Sequence, residues 1–383
     1  TVMRCFALCL LAVCLHCPVW AMGYLSDADT VRFNMEVLAK ESRDGYECRL
    51  VEYNTDSSER VRAYLLVPDD ACQKRCPALV LLHDHGARFD IGKEKLVSPI
   101  TAGNDCFRNS GYTAPEHIVR SSRQWVEKNF DGAYMADSLA ASGYVVLVSD
   151  ALYWGERSSE DARRWSELSF GELCDASSEC YRGPAALKDT VKALKDRVYE
   201  GQRRIYAEIA SDGDVWAEKI LRDDMSSVAL LAGLPEVDEK RIGAFGFSMG
   251  AHRCWLLAAF CSSVRCGAAV SWMTLKEAAD TTSASSLSMV VPSLREKYDF
   301  PDIALMLSPK PMLFMSGTQD HLFPENIVRE AFERMQEIYR ISINEKDPYP
   351  LQTEFFTDGH HCGKSVQARV ANFFDWYLKE NMP

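Results

Sequence analysis

Three short stretches of the sequence carry side chains that could together perform nucleophilic catalysis. Ser248 lies in a G-x-S-x-G pattern within AFGFSMGAHR. Asp320 ends the apolar stretch KPMLFMSGTQD, and TDGHHCGK contains two adjacent histidines, His360 and His361. A serine hydroxyl is a weak nucleophile that needs a base, an acid to orient the base, and an oxyanion site. The three stretches supply the residue types of a Ser-His-Asp triad.

The elements predicted around these residues suit that chemistry. RIGAF (241–245) predicts a short strand, and SMGAHRCWLLAAF predicts a helix that starts at the serine, as in a nucleophile elbow. Asp320 follows another predicted strand, and the two histidines lie between the last predicted strand and the last helix. The chain order Ser, Asp, His is the order of α/β-hydrolase triads. Each feature alone has a simpler interpretation, such as a turn aspartate at position 320.

Apolar runs alternate with amphipathic segments over most of the chain, and PALVLLH (77–83) and YVVLVSD (144–150) are typical of strands buried on both faces. The alternation predicts an α/β fold with a mainly parallel central sheet and helices on both faces. Two long stretches, at about 86–132 and 151–221, interrupt the pattern. We expect loop and helical insertions there, within a single domain over residues 22–383.

The N-terminus differs from the rest of the chain. Arg4 precedes an apolar run of roughly a dozen residues, too short to cross a bilayer, and small residues follow it. The pattern predicts a signal peptide over residues 1–21, and therefore a secreted or periplasmic protein with no stable membrane span.

The ten cysteines that follow this segment are an even number, which suits an oxidising compartment. We predict disulfides at Cys72–Cys76 and Cys174–Cys180, each closing a short polar loop, and a possible third at Cys261–Cys266. The pairing of the remaining four cysteines stays open.

Four stretches of the chain resemble those of a known group of proteins. ALVLLHDHGA, PEVDEKRIGAFGFSMG, FPDIALMLSPKPMLFMSGTQDHLFP and DGHHCGKSVQ are similar to the α/β-hydrolase superfamily, in its dienelactone hydrolase and acetyl xylan esterase-like group. The resemblance implies Ser248 as nucleophile, Asp320 as acid and a histidine base. Relatives show His, a variable residue, then Phe; since Cys362 stands at the Phe position, His360 aligns with the base and His361 with the variable residue.

The oxyanion site is expected to use two main-chain N–H groups. One belongs to the residue after the nucleophile, Met249, and the other to the loop after an earlier strand. Asp84 stands where relatives have Gly, so the equivalent second donor is His85, with Ala87 as the alternative.

These residues imply a carboxylesterase-type serine hydrolase that needs no metal and no organic cofactor. We expect a small-molecule or carbohydrate ester as substrate, with a short acyl group on a polar alcohol. Several side chains, mostly in the two insertions, are candidates to line the mouth of the site: Tyr112, Trp125, Tyr153, Trp154, Arg157, Arg164, Trp165, Trp272 and Met273.

Other functions are less well supported. The net charge of −12 without a dense basic run argues against nucleic acid as a partner. A serine peptidase is one alternative. A metal-dependent hydrolase is another, because HDH (83–85) could offer imidazole ligands. A binding protein on this fold usually lacks one triad member. The oligomeric state stays open.

Overall fold

The computed structural model describes residues 33–55, 59–101, 112–171, 185–342 and 350–380. Within these ranges, nine strands form one sheet in the order β1-β2-β3-β5-β4-β6-β7-β8-β9. The strands are β1 (Glu36–Arg43), β2 (Tyr46–Asn54), β3 (Arg60–Pro68), β4 (Cys76–Leu82), β5 (Val145–Ser149), β6 (Val237–Phe247), β7 (Val264–Val270), β8 (Met312–Gly317) and β9 (Leu351–Phe356).

The sheet combines two types of pairing. Strands β1, β2, β3 and β5 pair in antiparallel fashion. From β5 onward through β4, β6, β7, β8 and β9 every pairing is parallel. The predicted mainly parallel sheet is confirmed, and the antiparallel strands β1 and β2 extend it beyond the strands that the sequence indicated. The carboxyl ends of the parallel strands share one edge of the sheet, where open α/β sheets bind ligands.

Helices pack on both faces of this sheet. Those of at least seven described residues are α1 (Glu116–Phe130), α2 (Met135–Ala141), α3 (Glu160–Phe170), α4 (Ala185–Ser211), α5 (Trp216–Ala232), α6 (Met249–Phe260), α7 (Glu325–Ser342) and α8 (Lys364–Asp375). No helix within the described residues has both the length and the apolar character that a bilayer crossing needs.

The alternation of side chains along the strands divides the core into two apolar layers. On β4, Val80 faces the layer that contains residues of α5, α6 and α7, whereas Leu81 faces the layer built with α1, α2 and α8. Successive strand residues point to opposite faces, so a strand buried on both sides is a continuous apolar run. This explains why β4 and β5 were recognisable from sequence.

The two predicted insertions contain regular structure. The first holds α1 and a short 3₁₀ turn, Lys93–Lys95, and the second holds α3, α4 and the start of α5. A third apolar cluster joins them: Phe89 from the first insertion packs on Tyr153 and Trp154 from the second, and Trp154 packs on Trp216.

The predicted disulfide at Cys72–Cys76 is wrong in this structure, because Cys76 is a free thiol whose Sγ–H points to the Lys74 carbonyl. Cys261 and Cys266 are also free. They lie in different core layers on opposite faces of the sheet, so their sulfur atoms cannot meet. Cys174 and Cys180 lie outside the described residues.

Candidate active site

Ser248 lies between the end of β6 and the first residue of α6, with φ 56° and ψ −124°. A positive φ is costly for a residue with a Cβ, and such strain is typical of a nucleophile elbow. The neighbouring glycines permit the turn. A Cβ on Gly246 would lie 1.8 Å from the Gly250 carbonyl oxygen, and one on Gly250 would lie 1.9 Å from the Leu82 carbonyl oxygen. The G-x-S-x-G pattern therefore reflects two close backbone contacts around the serine.

The serine, a histidine and an aspartate form a continuous hydrogen-bonded chain. His360 Nε2 lies 2.9 Å from Ser248 Oγ, and His360 Nδ1 lies 2.7 Å from Asp320 Oδ2. A carboxylate accepts a hydrogen bond from Nδ1–H, which leaves Nε2 as an acceptor for the serine hydroxyl. Three loops, each following a parallel strand, bring these groups together from positions up to 112 residues apart.

The aspartate and the imidazole are each held in place. The Asp320 side chain is fully buried, and its Oδ1 accepts the N–H groups of Leu322 and Phe323 at 2.9 and 3.2 Å. The His360 ring contacts two aromatic rings, Phe247 at 4.9 Å and Phe323 at 5.9 Å between centroids. These contacts restrict the rotation of both side chains, as pre-organised acid–base groups require.

The loop that carries His360 approaches β8 closely. A Cβ on Gly317, the last residue of β8, would lie 2.4 Å from the carbonyl oxygens of Asp358 and Gly359. At the other end of the loop, the N–H of Cys362 donates to the Asn129 carbonyl at 2.9 Å. The position of the imidazole thus depends on a glycine in β8 and on the end of α1.

His361 points away from the serine. Its Nδ1 lies 2.7 Å from Asp358 Oδ2 and its Nε2 lies 3.2 Å from Asp131 Oδ1. Asp358 belongs to the same loop and Asp131 follows α1 directly. The structure therefore brings His360, and not His361, to Ser248, while His361 ties the loop to α1.

The candidate oxyanion groups flank the elbow. Met249 is the first residue of α6, and the first N–H groups of a helix have no partner within that helix. The second candidate lies in the loop that follows β4, residues 83–87, called the β4 loop below. Of its two alternatives, the N–H of Ala87 donates to His85 Nδ1 at 3.0 Å. The Ala87 amide is thus used within the loop, which leaves the His85 amide as the stronger candidate.

The histidines of HDH are used in protein hydrogen bonds. His83 Nδ1 lies 2.9 Å from the Asp84 carbonyl, and its Nε2 accepts the N–H of Ala151 at 3.0 Å. His85 Nε2 donates to Gln202 Oε1 at 2.7 Å. Burial lowers the pKa of His83 well below its usual value and that of His85 to about 4, so both rings are neutral near pH 7. A metal ion at either ring would have to displace one of these bonds.

Most residues proposed for the mouth of the site lie in the protein interior. Trp154 is completely buried, and Arg157 pairs with Asp223 and Glu59 at 2.7 and 2.6 Å. Others are also buried: Tyr153, Trp165, Trp272 and Met273. The three insertion aromatics Tyr153, Trp154 and Trp165 were wrongly expected at the mouth, because an aromatic residue in a long insertion gives the same sequence pattern whether it packs on a neighbouring helix or faces solvent. Trp125 and Tyr112 are partly buried and Arg164 is exposed.

The structure reveals supporting groups that the sequence analysis missed. Lys95 and Trp154 donate to main-chain carbonyls of the β4 loop, and the Gln202 amide holds the His85 ring. A possible sequence signal was the charged triplet KEK (93–95) between apolar residues. All three of its side chains are buried, which charged residues rarely are without a partner.

Comparison with known proteins places this arrangement in a family. The model of the dienelactone hydrolase family matches residues 124–345, more than half of the chain. A Bacillus subtilis protein named "Putative hydrolase YtaP" is 21% identical over 323 residues, which cover 83% of this chain and 84% of that protein. The chain therefore belongs to the dienelactone hydrolase family, and it is an enzyme, a hydrolase of the carboxylesterase type.

Solved structures agree on the fold. A "putative acetyl xylan esterase" from Bacteroides fragilis has a TM-score of 0.55 at 14% identity, covering 92% of this chain and 82% of its own. A glucuronoyl esterase from Solibacter usitatus has a TM-score of 0.50 at 11% identity, covering 90% and 85%. The predicted α/β-hydrolase fold is confirmed.

Proposed function

We propose that the protein is a serine esterase with Ser248 as nucleophile, His360 as general base and Asp320 as the acid that orients it. The observation that carries this proposal is the unbroken chain of hydrogen bonds from Ser248 Oγ through the imidazole to the buried carboxylate, 2.9 and 2.7 Å long. No other described histidine is bonded to Ser248 Oγ.

The reaction follows from that chain. His360 Nε2 accepts the hydroxyl proton as Ser248 Oγ attacks the ester carbonyl, and Asp320 stabilises the imidazolium that forms. The oxyanion lies against the main-chain N–H groups of Met249 and His85. The imidazolium then protonates the leaving alcohol. Water, deprotonated by the same imidazole, releases the acyl group from Ser248.

We propose a short acyl group on a polar or carbohydrate alcohol as substrate. Trp272 packs on Phe323, which in turn stacks on His360, so protein side chains fill one side of the base. The side chain of Met249 is buried against Ser288. The two structural neighbours described above are named for acetyl xylan and glucuronoyl esters, which supports a carbohydrate ester.

Secretion and domain organisation are proposals separate from the catalytic function. We propose a signal peptide at residues 1–21 and one catalytic domain over 22–383. The signal is proposed from its residue pattern, and the free thiols of Cys76, Cys261 and Cys266 give it no support. The single domain is supported by the one sheet that contains strands from Glu36 to Phe356.

Active-site labelling tests the assignment. A fluorophosphonate should label the wild-type protein at one site, which peptide mapping should locate to Ser248, and Ser248→Ala should abolish labelling while the circular dichroism spectrum stays unchanged. Labelling elsewhere, or none, would refute the nucleophile. The substrate proposal is tested by kcat/KM on acetyl, butyryl and decanoyl esters of one alcohol, where a steady rise toward decanoyl would contradict it.

A further inference from the structure

Two buried lysines in the short turn Lys93–Lys95 have different partners. Both ammonium groups are completely buried. The Lys93 ammonium lies within 3.1 Å of three carboxylates, those of Asp150, Glu94 and Glu156. Such a set neutralises a buried charge and is typical of a structural ion cluster.

Lys95 is bonded mainly to the main chain. Its Nζ donates to the carbonyl oxygens of Asp84 and His85 at 2.8 and 2.9 Å. Its closest carboxylate oxygen, Asp84 Oδ2, is more distant at 3.4 Å. The ring of Trp125 lies 5.2 Å from the ammonium. Burial lowers the pKa of Lys95, and the carboxylates of Asp84 and Asp90 only partly offset this effect.

The two carbonyls that Lys95 binds belong to the candidate oxyanion loop. In a trans peptide the C=O and N–H groups point in opposite directions. The Asp84 carbonyl shares its peptide with the His85 N–H, so the lysine that holds this carbonyl directs the N–H to the opposite side. A positive charge at the carbonyl oxygen also polarises the amide, which makes its N–H a stronger donor.

Other insertion residues hold the same loop. The Trp154 Nε1–H donates to the His85 carbonyl at 3.1 Å, and the Trp125 Nε1–H donates to Asp84 Oδ1 at 3.2 Å. Gly86, with φ 57°, has no room for a side chain, since a Cβ there would lie 2.3 Å from the Trp125 ring. The loop is therefore held by residues of both insertions.

The same loop adjoins the elbow. Strands β4 and β6 are parallel neighbours, with Leu82 paired to Gly246, so the residues that follow them share one edge of the sheet. Ala87 packs against the apolar cluster that contains Met249. The two proposed oxyanion amides thus belong to adjacent segments.

We propose that Lys95 is a positioning residue for the oxyanion site, which holds and polarises the Asp84–His85 peptide so that the His85 N–H stabilises the tetrahedral intermediate. This inference rests on the proposed function, because it requires Ser248 to form that intermediate. Lys95 does not touch the substrate; it acts through the main chain.

The test compares Lys95→Met with Lys93→Met, a matched loss of a buried ammonium two residues away. Three quantities are measured for each variant: kcat and KM on an acetyl ester, Ki for a trifluoromethyl ketone, and the free energy of unfolding. The ketone accepts Ser248 Oγ at its carbonyl carbon, and the hydroxyl proton passes to His360. Its oxygen becomes an oxyanion, so Ki reports the oxyanion site directly.

We expect Lys95→Met to lower kcat about 100-fold and to raise Ki by a similar factor, with KM changed less than about threefold, as for loss of one oxyanion donor. Lys93→Met should be at least as destabilised, yet its Ki should stay within about threefold of the wild type, because its partners are carboxylates outside the loop. An unchanged Ki in Lys95→Met, or a change in KM alone, would overturn the proposal.

If Lys95→Met does not fold, Lys95→Gln is tested in its place, since the neutral amide of glutamine can still donate to one carbonyl. We expect an intermediate rise in Ki, and a wild-type Ki in the folded variant would overturn the proposal. Fluorophosphonate labelling of the wild type distinguishes failure of this inference from failure of the proposed function. If Ser248 is labelled but Ki does not respond to position 95, only this inference fails; if Ser248 is not labelled, the proposed function itself fails.

Discussion

The two halves of the candidate site are built in different ways. The proton-transfer half consists of three side chains, Ser248, His360 and Asp320, each on a loop that directly follows a parallel strand. The proposed oxyanion half consists of main-chain amides, and its β4 loop is held by Lys95 and Trp154 from the insertions. Side-chain chemistry leaves a pattern of residue types in the sequence, whereas main-chain chemistry depends on which buried groups happen to support the backbone.

The largest loss of activity is expected when the proton-transfer half is removed. Ser248→Ala should lower kcat/KM by at least about a thousandfold, since triad members act as a unit and the oxyanion half alone retains only residual catalysis. The measurement is hydrolysis of an acetyl ester, with the unfolding midpoint as a control for folding. Turnover close to that of the wild type would show that the hydroxyl is not the nucleophile.

The adjacent histidines offer a matched pair within that half. His360→Ala should also cost about a thousandfold in kcat/KM, because it removes the only base bonded to Ser248 Oγ among the described residues. His361→Ala removes the contacts to Asp358 and Asp131 that hold the loop, and should cost less than about tenfold, because surface ion pairs contribute little. If the two variants show the reverse order, His361 is the base.

A substitution with a smaller expected effect tests the oxyanion half. Trp154→Phe deletes one neutral hydrogen bond to the His85 carbonyl while Lys95 remains, and should lower kcat by about fivefold, the equivalent of roughly 1 kcal/mol. KM should be nearly unchanged. The matched control is Trp216→Phe, since Trp216 packs on Trp154 but its Nε1–H makes no hydrogen bond. Equal losses of kcat in both variants would mean that packing, and not the hydrogen bond, is responsible.

The smallest expected effect on activity belongs to Glu94, which lies between the two lysines. Burial raises the pKa of this carboxyl from 4.5 to about 7, with further contributions from Asp150 and Glu156, while Lys93 opposes the shift. Because the folded-state pKa is the higher one, the stability that this group contributes is full below about pH 4.5 and is lost as the pH rises through about 7.

Glu94→Gln should therefore flatten the pH dependence of the unfolding free energy between about pH 4.5 and 7, with kcat unchanged. Denaturant unfolding at several pH values in this window measures the effect. The same slope in variant and wild type would mean that Glu94 does not titrate there. Together with the Lys93 and Lys95 variants, this result would separate stability from catalysis within one buried turn.

Much of the fold could be predicted from the sequence, because strands buried on both faces are continuous apolar runs. β1 was missed because most of its residues are partly or fully exposed, and β2 because alternate residues are only partly buried. The three groups of the proposed triad were identified because Ser248, Asp320 and His360 follow strands in a recognisable order.

The rest of the site could not be predicted, for physical reasons. The bonds from Lys95 to two carbonyls join segments ten and eleven residues apart through side-chain geometry that no residue pattern encodes. Trp154 was expected at the mouth, yet it is completely buried and donates to the His85 carbonyl. The short spacing of Cys72 and Cys76 suggested a disulfide, but Cys76 begins β4 with its sulfur directed to a carbonyl.

The buried thiols have a consequence for how unfolding of this enzyme can be followed. Cys48, Cys254, Cys266 and Cys362 are completely inaccessible, and burial raises the pKa of each well above the usual value for a thiol. Only the thiolate reacts with disulfide and alkylating reagents, so these four thiols do not react while the sheet is intact. They lie at sites spread from β2 to the loop before α8. Their labelling rates, resolved by mass spectrometry, would therefore record where the molecule opens first, with no label introduced by mutation.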